Sequence, residues 1–167
     1  MCDYSLMDVP NRLAVSGEEL ITHRFPTGSL GMASLPDVLK LNDLQAAQSK
    51  RGGWEALRNW LVGPKIAHQV CAVCIAPGTV LLMSRIPDTV GRQFALSSLE
   101  EVTFTQLTAE PFQYRDAIRF RNGRHVLLHR LQEGILFKVQ SLGAETTSRI
   151  VEPRHLAAQA AIRRIPA

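Results

Sequence analysis

The chain has 167 residues, of which 46% are hydrophobic and 20% charged, with a formal net charge of +4. That balance suits one domain spanning 1–167 with a real core and excludes an intrinsically disordered chain. No apolar run approaches the roughly 18 residues of a membrane helix, and the start, MCDYSLMDVPNRL, lacks the apolar stretch of a secretion signal. The expectation is therefore a soluble cytoplasmic protein with no membrane partner.

Residues 1–12 read as irregular, with a turn at Pro10-Asn11, and Leu13–Val15 as a short strand. Glu19–Phe25 alternates as a strand that Pro26-Thr27-Gly28 closes. The small residues of Ser29–Ser34 read as a loop or weak strand. Residues 35–63 form a helical insertion. Leu-Pro-Asp at 35–37 opens a helix carrying Leu39, Leu41 and Leu44, and the polar run SKRGG breaks it. Trp54–Val62 then sets Trp54, Leu57, Trp60 and Leu61 at helical spacing until Gly63-Pro64 stops it. Packing across a sheet is the plain account of this amphipathic helix. Trp54 and Trp60 would equally anchor a partner, since tryptophan concentrates binding energy at interfaces.

Val70–Ile75 is a continuous apolar run and reads as a buried strand. Ala76–Thr79 turns the chain, Val80–Met83 returns it, and Val90–Phe94 suits a short helix. Glu101–Thr108 is a strand rich in β-branched residues.

The clearest signal lies in Asp116–Leu142. Asn122-Gly123 between two alternating runs suits a two-residue type I′ turn, with φ > 0 at both positions. That turn pairs Arg121 with Arg124, Phe120 with His125, Ile118 with Leu127 and Asp116 with His129. One face of the hairpin then carries Asp116, Ile118, Phe120, His125, Leu127 and His129. The other carries Ala117, Val126 and Leu128 among five arginines: Arg115, Arg119, Arg121, Arg124 and Arg130. Glu133-Gly134 makes a further turn and Ile135–Leu142 a third strand, so 100–142 reads as a β-meander. The extension 143–167 ends in a short helix over Pro153–Arg164, with proline at its start and arginines at its end. Together these elements predict a mainly-β or α+β fold, a small barrel or curled antiparallel sheet.

Four features carry possible chemistry. Cys2 becomes the first residue if Met1 is removed, and its own α-amine can then serve as general base to the thiol. Such a start resembles that of N-terminal-nucleophile amidotransferases and of proteins that trap abasic-site aldehydes. The resemblance covers those two residues, and the glycine that usually follows in those families is Asp3 here. Asp116 facing His129 would orient an imidazole for acid–base work and complete a Cys-His-Asp set with Cys2. Cross-strand Asp–His pairs are also common as plain structure.

Cys71 and Cys74 have C-x-x-C spacing, but apolar neighbours and an extended context point their sulfurs to opposite faces, so they read as buried structural cysteines. An odd number of cysteines without a secretion signal argues against a disulfide framework, and no residue set implies a metal or cofactor. The arginine face suits phosphates or a carboxylate-rich surface, although a solvated outer face is the simpler account. Aromatic side chains for base stacking are scarce there, which weakens the case for nucleic acid.

These readings rank in order. The first expectation is a binding or accessory module that meets a protein partner, or a second copy of itself, through the basic hairpin or the Trp54–Val62 helix. The second is a thiol enzyme or covalent trap built on Cys2, His129 and Asp116. The third is a nucleic-acid or phosphate binder using the arginines.

Overall fold

The computed structural model describes residues 6, 8–49, 69–110 and 112–143. The expected Trp54–Val62 helix and the C-terminal helix lie outside the described residues. The fold within them is mainly β: one mixed sheet of nine strands and two helices.

The strands are β1 (Asn11–Leu13), β2 (Glu19–Arg24), β3 (Leu30–Ser34), β4 (Ala72–Cys74), β5 (Val80–Ser84), β6 (Glu100–Gln106), β7 (Asp116–Phe120), β8 (His125–Leu127) and β9 (Leu136–Ser141). Helix α1 covers Leu35–Ser49 and α2 covers Asp88–Phe94, and a 3-10 turn spans Leu128–Arg130. The spatial order is β1-β4-β3-β2-β9-β5-β6-β7-β8. All pairings are antiparallel except β1 with β4, so the sheet is mixed rather than purely antiparallel. It does not close into a barrel.

The expected meander holds for β6, β7 and β8, but not for the last strand. β9 leaves the neighbourhood of β8 and pairs with both β2 and β5. The reason is burial. Phe137 and Val139 are each 1% exposed, and only an inner strand, paired on both edges, removes its apolar residues from water so completely. β9 thereby joins β1–β4 to β5–β8 as one sheet.

Thr22 of β2 fastens the crossing that β9 requires. Its hydroxyl donates to the Gln132 carbonyl (2.8 Å) and accepts from the Ile135 N–H (2.9 Å). The Glu133 carboxylate beside it accepts from the Arg24 N–H at 2.9 Å and lies 3.2 Å from His23 Nδ1. The residues following β8 are thus tied to a strand more than a hundred positions earlier in the chain.

Two cores result. The larger contains Leu20, Met32, Leu81, Phe104, Ile118, Phe137 and their neighbours. The smaller lies under α1, where Val38 meets Phe25, Ala33, Val70, Ala72, Leu6 and Val9. β3 lies between the two, and all five of its residues are buried. Its small residues, which suggest a loop on composition, are there for close approach. A Cβ on Gly31 would stand 2.6 Å from Leu6 Cδ1 and 3.1 Å from the Phe25 ring.

Arg12 of β1 and Glu18 form an ion pair, and the Glu18 carboxylate also accepts from the Val15 N–H at 3.0 Å. Partial burial opposes ionisation of Glu18. The Arg12 hydrogen bond, the Val15 N–H and the Arg12 charge together outweigh it and hold the carboxyl below its usual range. The same hydrogen bond raises Arg12.

Candidate binding site

The hairpin adopts a different register from the one an Asn-Gly type I′ turn imposes. Ile118 pairs with Val126, Arg119 with His125 and Ala117 with Leu127. The Gly123 N–H donates to the Phe120 carbonyl (3.0 Å), and the Phe120 N–H donates to the Arg124 carbonyl (2.8 Å). Gly123 and Arg124 therefore both stand opposite Phe120, the arrangement of a three-residue loop closed by a glycine bulge. Only Gly123 needs the left-handed region, at φ +81°.

One extra loop residue exchanges the faces of β8 relative to β7. Val126 (7% exposed) and Leu128 (4%) join Ile118 and Phe120 in the core instead of interrupting an arginine face. His125 moves to the outer side, opposite Arg119.

Asn122 makes the loop specific. Its Oδ1 accepts from the Arg124 N–H (3.0 Å) and its amide donates to the Phe94 carbonyl at the end of α2 (2.9 Å). The Arg124 guanidinium lies over the Phe94 ring, 5.1 Å from its centre, and Phe94 packs on Phe120 with ring centres 5.0 Å apart. Gln132 donates to the Thr89 hydroxyl at 3.1 Å from the other side. Helix α2 is thus held beside the β7–β8 end of the sheet by Asn122, which precedes β8, and Gln132, which follows it.

Between α2 and β8 lies a cleft of about 220 Å³. Val90, Phe94 and Leu131 give it an apolar floor, while Gln93, His125 and Arg130 supply polar groups at its walls. Leu107 also lines it. It starts the loop between β6 and β7, a loop that also exposes Phe112 (78%) and Tyr114 (39%). Tyr114 stacks on His129, ring centres 3.9 Å apart, which places that loop beside the 3-10 turn bearing Arg130.

The five arginines do not share one face. Arg119 and Arg121 border a shallow depression of about 340 Å³ on the outer side, where Arg121 pairs with Glu101 at 3.2 Å. Arg124 covers Phe94, Arg130 lines the cleft, and Arg115 is half-buried. Among the described residues no carboxylate pairs with Arg119, Arg124 or Arg130.

Asp116 is 5% exposed and accepts from the Gln106 amide at 2.9 Å. β8 ends at Leu127, so His129 belongs to the 3-10 turn, and the strand register that would set it opposite Asp116 does not form. Cys2, Trp54 and Trp60 lie outside the described residues. Cys71 is a free thiol, whereas Cys74, 5% exposed on β4, is disulfide-bonded. The two are therefore not joined to each other, and the expectation of structural cysteines without a disulfide is corrected at Cys74.

Composition and spacing do not mark Gln93, Phe94, Leu107 and Leu131 as site residues. They meet only because α2 is held beside β8. No helix among the described residues is long and apolar enough to cross a membrane. Among the same residues no group of three or more His, Cys, Asp or Glu is gathered as a metal site. No family model, no curated protein and no solved structure matches the chain.

Proposed function

We propose that the protein is a binding module that meets another protein through the end of the sheet where β8, α2, Leu107 and Tyr114 converge. One observation carries this reading: Arg130 and His125 stand at the wall of an apolar-floored cleft, and no carboxylate of the described residues neutralises Arg130. Arginine and exposed aromatic side chains around a preformed apolar depression are the composition of interface centres. The cleft, at about 220 Å³, is smaller than the roughly 300–1,000 Å³ usual for small-molecule sites, which favours a side chain or chain segment as occupant.

Nucleic acid is less well served. A phosphate backbone is tracked by a continuous strip of cations, and here Arg119 and Arg121 lie on the outer face while Arg130 lies in the cleft.

The test is quantitative capture of proteins from the native host with wild-type chain and with the double variant Arg124→Glu/Arg130→Glu. Partners retained by wild type and lost by a folded double variant support the reading. An identical set for both chains, or recovery of nucleic acid alone with steep salt dependence, overturns it.

A further inference from the structure

We infer that β8 is a docking edge on which an extended peptide adds as a further strand, with one apolar side chain in the α2 cleft and a carboxylate on Arg130. The inference rests on the binding-module reading and names its mode.

The backbone comes first. Among the described residues β8 pairs on one side only, with β7. Antiparallel ladders alternate, so a residue directs both its N–H and its C=O either to the partner strand or away from it. The Phe120–Arg124 bond fixes the phase. Val126 therefore faces β7, and His125 and Leu127 direct their N–H groups outward. An outward row of this kind is the template for strand addition.

The side chains fit the same mode. On an added strand, alternate residues point to the same side. One such position meets the floor of Val90, Phe94 and Leu131, and its neighbours along the strand pass His125 and Arg130. Charge complementarity thus selects an acidic peptide, because guanidinium pairs bidentately with carboxylate. Both walls are tied down beforehand by the Asn122–Phe94 and Gln132–Thr89 hydrogen bonds, so binding requires little reordering of the protein.

Leu127 allows a clean test. Its φ of −65° and ψ of 138° are those of proline, so Leu127→Pro deletes one outward N–H without straining the chain. Leu127→Ala shortens the same side chain and keeps the N–H. The probe is the hexapeptide acetyl-Glu-Val-Glu-Leu-Glu-Val-amide, titrated into isotopically labelled protein and followed by amide NMR. A copy N-methylated at alternate residues and an oligothymidine serve as comparison probes.

The expected result is binding with shifts centred on the His125 and Leu127 amides. Affinity should fall about tenfold or more with Leu127→Pro, with Arg130→Gln and with the N-methylated peptide, and change little with Leu127→Ala. Equal binding of the two peptides, or no effect of Leu127→Pro, overturns strand addition while leaving the binding-module reading intact. Absence of peptide binding, with oligothymidine shifting Arg119 and Arg121 instead, overturns both.

Discussion

Val126 lies opposite Ile118 across the β7–β8 hairpin, and both side chains enter the main core. That relationship depends on a loop of three residues, with Gly123 at φ +81° and nothing within 4 Å of where its Cβ would stand. Gly123→Asn should keep the fold at a cost of about 1 kcal/mol or less, since Asn tolerates the left-handed region. Deleting Gly123 should force the two-residue register and turn Val126 and Leu128 outward. Each side chain contributes roughly 1.5–3 kcal/mol on burial, so the deletion should unfold the β7–β8 end or the whole protein. Urea denaturation of the two variants separates the outcomes.

The Thr22 hydroxyl bonds both Gln132 and Ile135, and replacing it should expose the cost of the β8-to-β9 crossing. Thr22→Val preserves shape but leaves a buried N–H and a carbonyl without their partner, for a loss of about 2 kcal/mol. Thr22→Ser should lose clearly less. The shift in urea midpoint at constant slope measures both.

Glu18 is held below the usual carboxylate range, so its contribution to stability has a defined sign with pH. It is fully present above the unfolded-state value, about 4.3 for glutamate. It is lost as pH falls through the lower folded-state value. Glu18→Gln should therefore be less stable than wild type at pH 7, by about 1 kcal/mol for one exchanged ionic hydrogen bond. The gap should narrow below about pH 4. Arg12 is raised, so its contribution disappears only at strongly alkaline pH. Parallel denaturation curves at pH 7 and in mild acid decide the matter, and a pH-independent gap would contradict the assignment.

Gly143 packs against the turn before β5. A Cβ there would lie 2.1 Å from the Pro77 carbonyl oxygen and 2.8 Å from the Thr79 nitrogen, both backbone atoms that cannot yield cheaply. Its N–H donates to the Thr79 hydroxyl at 2.9 Å. Gly143→Ala should thus break that bond and cost about 2 kcal/mol through overpacking. Faster amide exchange at the end of β9, with β2 unaffected, would locate the damage.

Cys71 and Cys74 should differ sharply in reactivity despite their spacing. Alkylation of the folded, unreduced protein should modify Cys71 and leave Cys74 unmodified until a reductant is added. Peptide mass mapping before and after reduction reads this directly. Labelling of both without reduction would rule out the bond at Cys74.

Much of the local structure was legible. Alternation in Glu19–Phe25, the apolar run at Val70–Ile75 and the β-branched run after Glu101 mark β2, β4 and β6, because burial on a pleated surface imposes those patterns. Asn122-Gly123 marks a turn at the correct place. It does not reveal the loop length, since Asn-Gly suits both a two-residue turn and a three-residue loop with a bulge. The candidate cleft was legible only at His125 and Arg130, and for a different reason, as members of faces that the bulge rearranged.

By itself, the sequence determined a mainly-β fold, the position of most strands and the turn at Asn122-Gly123, since each follows from short-range periodicity and backbone sterics. Tertiary structure alone decided that β9 crosses to join β2 with β5, that Val126 rather than Leu127 faces the core, and that α2 lies beside β8 with a cleft between them. These depend on hydrogen bonds and contacts between residues far apart in the chain, such as Thr22 with Ile135 and Phe94 with Asn122. Local patterning carries no record of such pairings, because many registers bury the same residues and only the packed whole selects one.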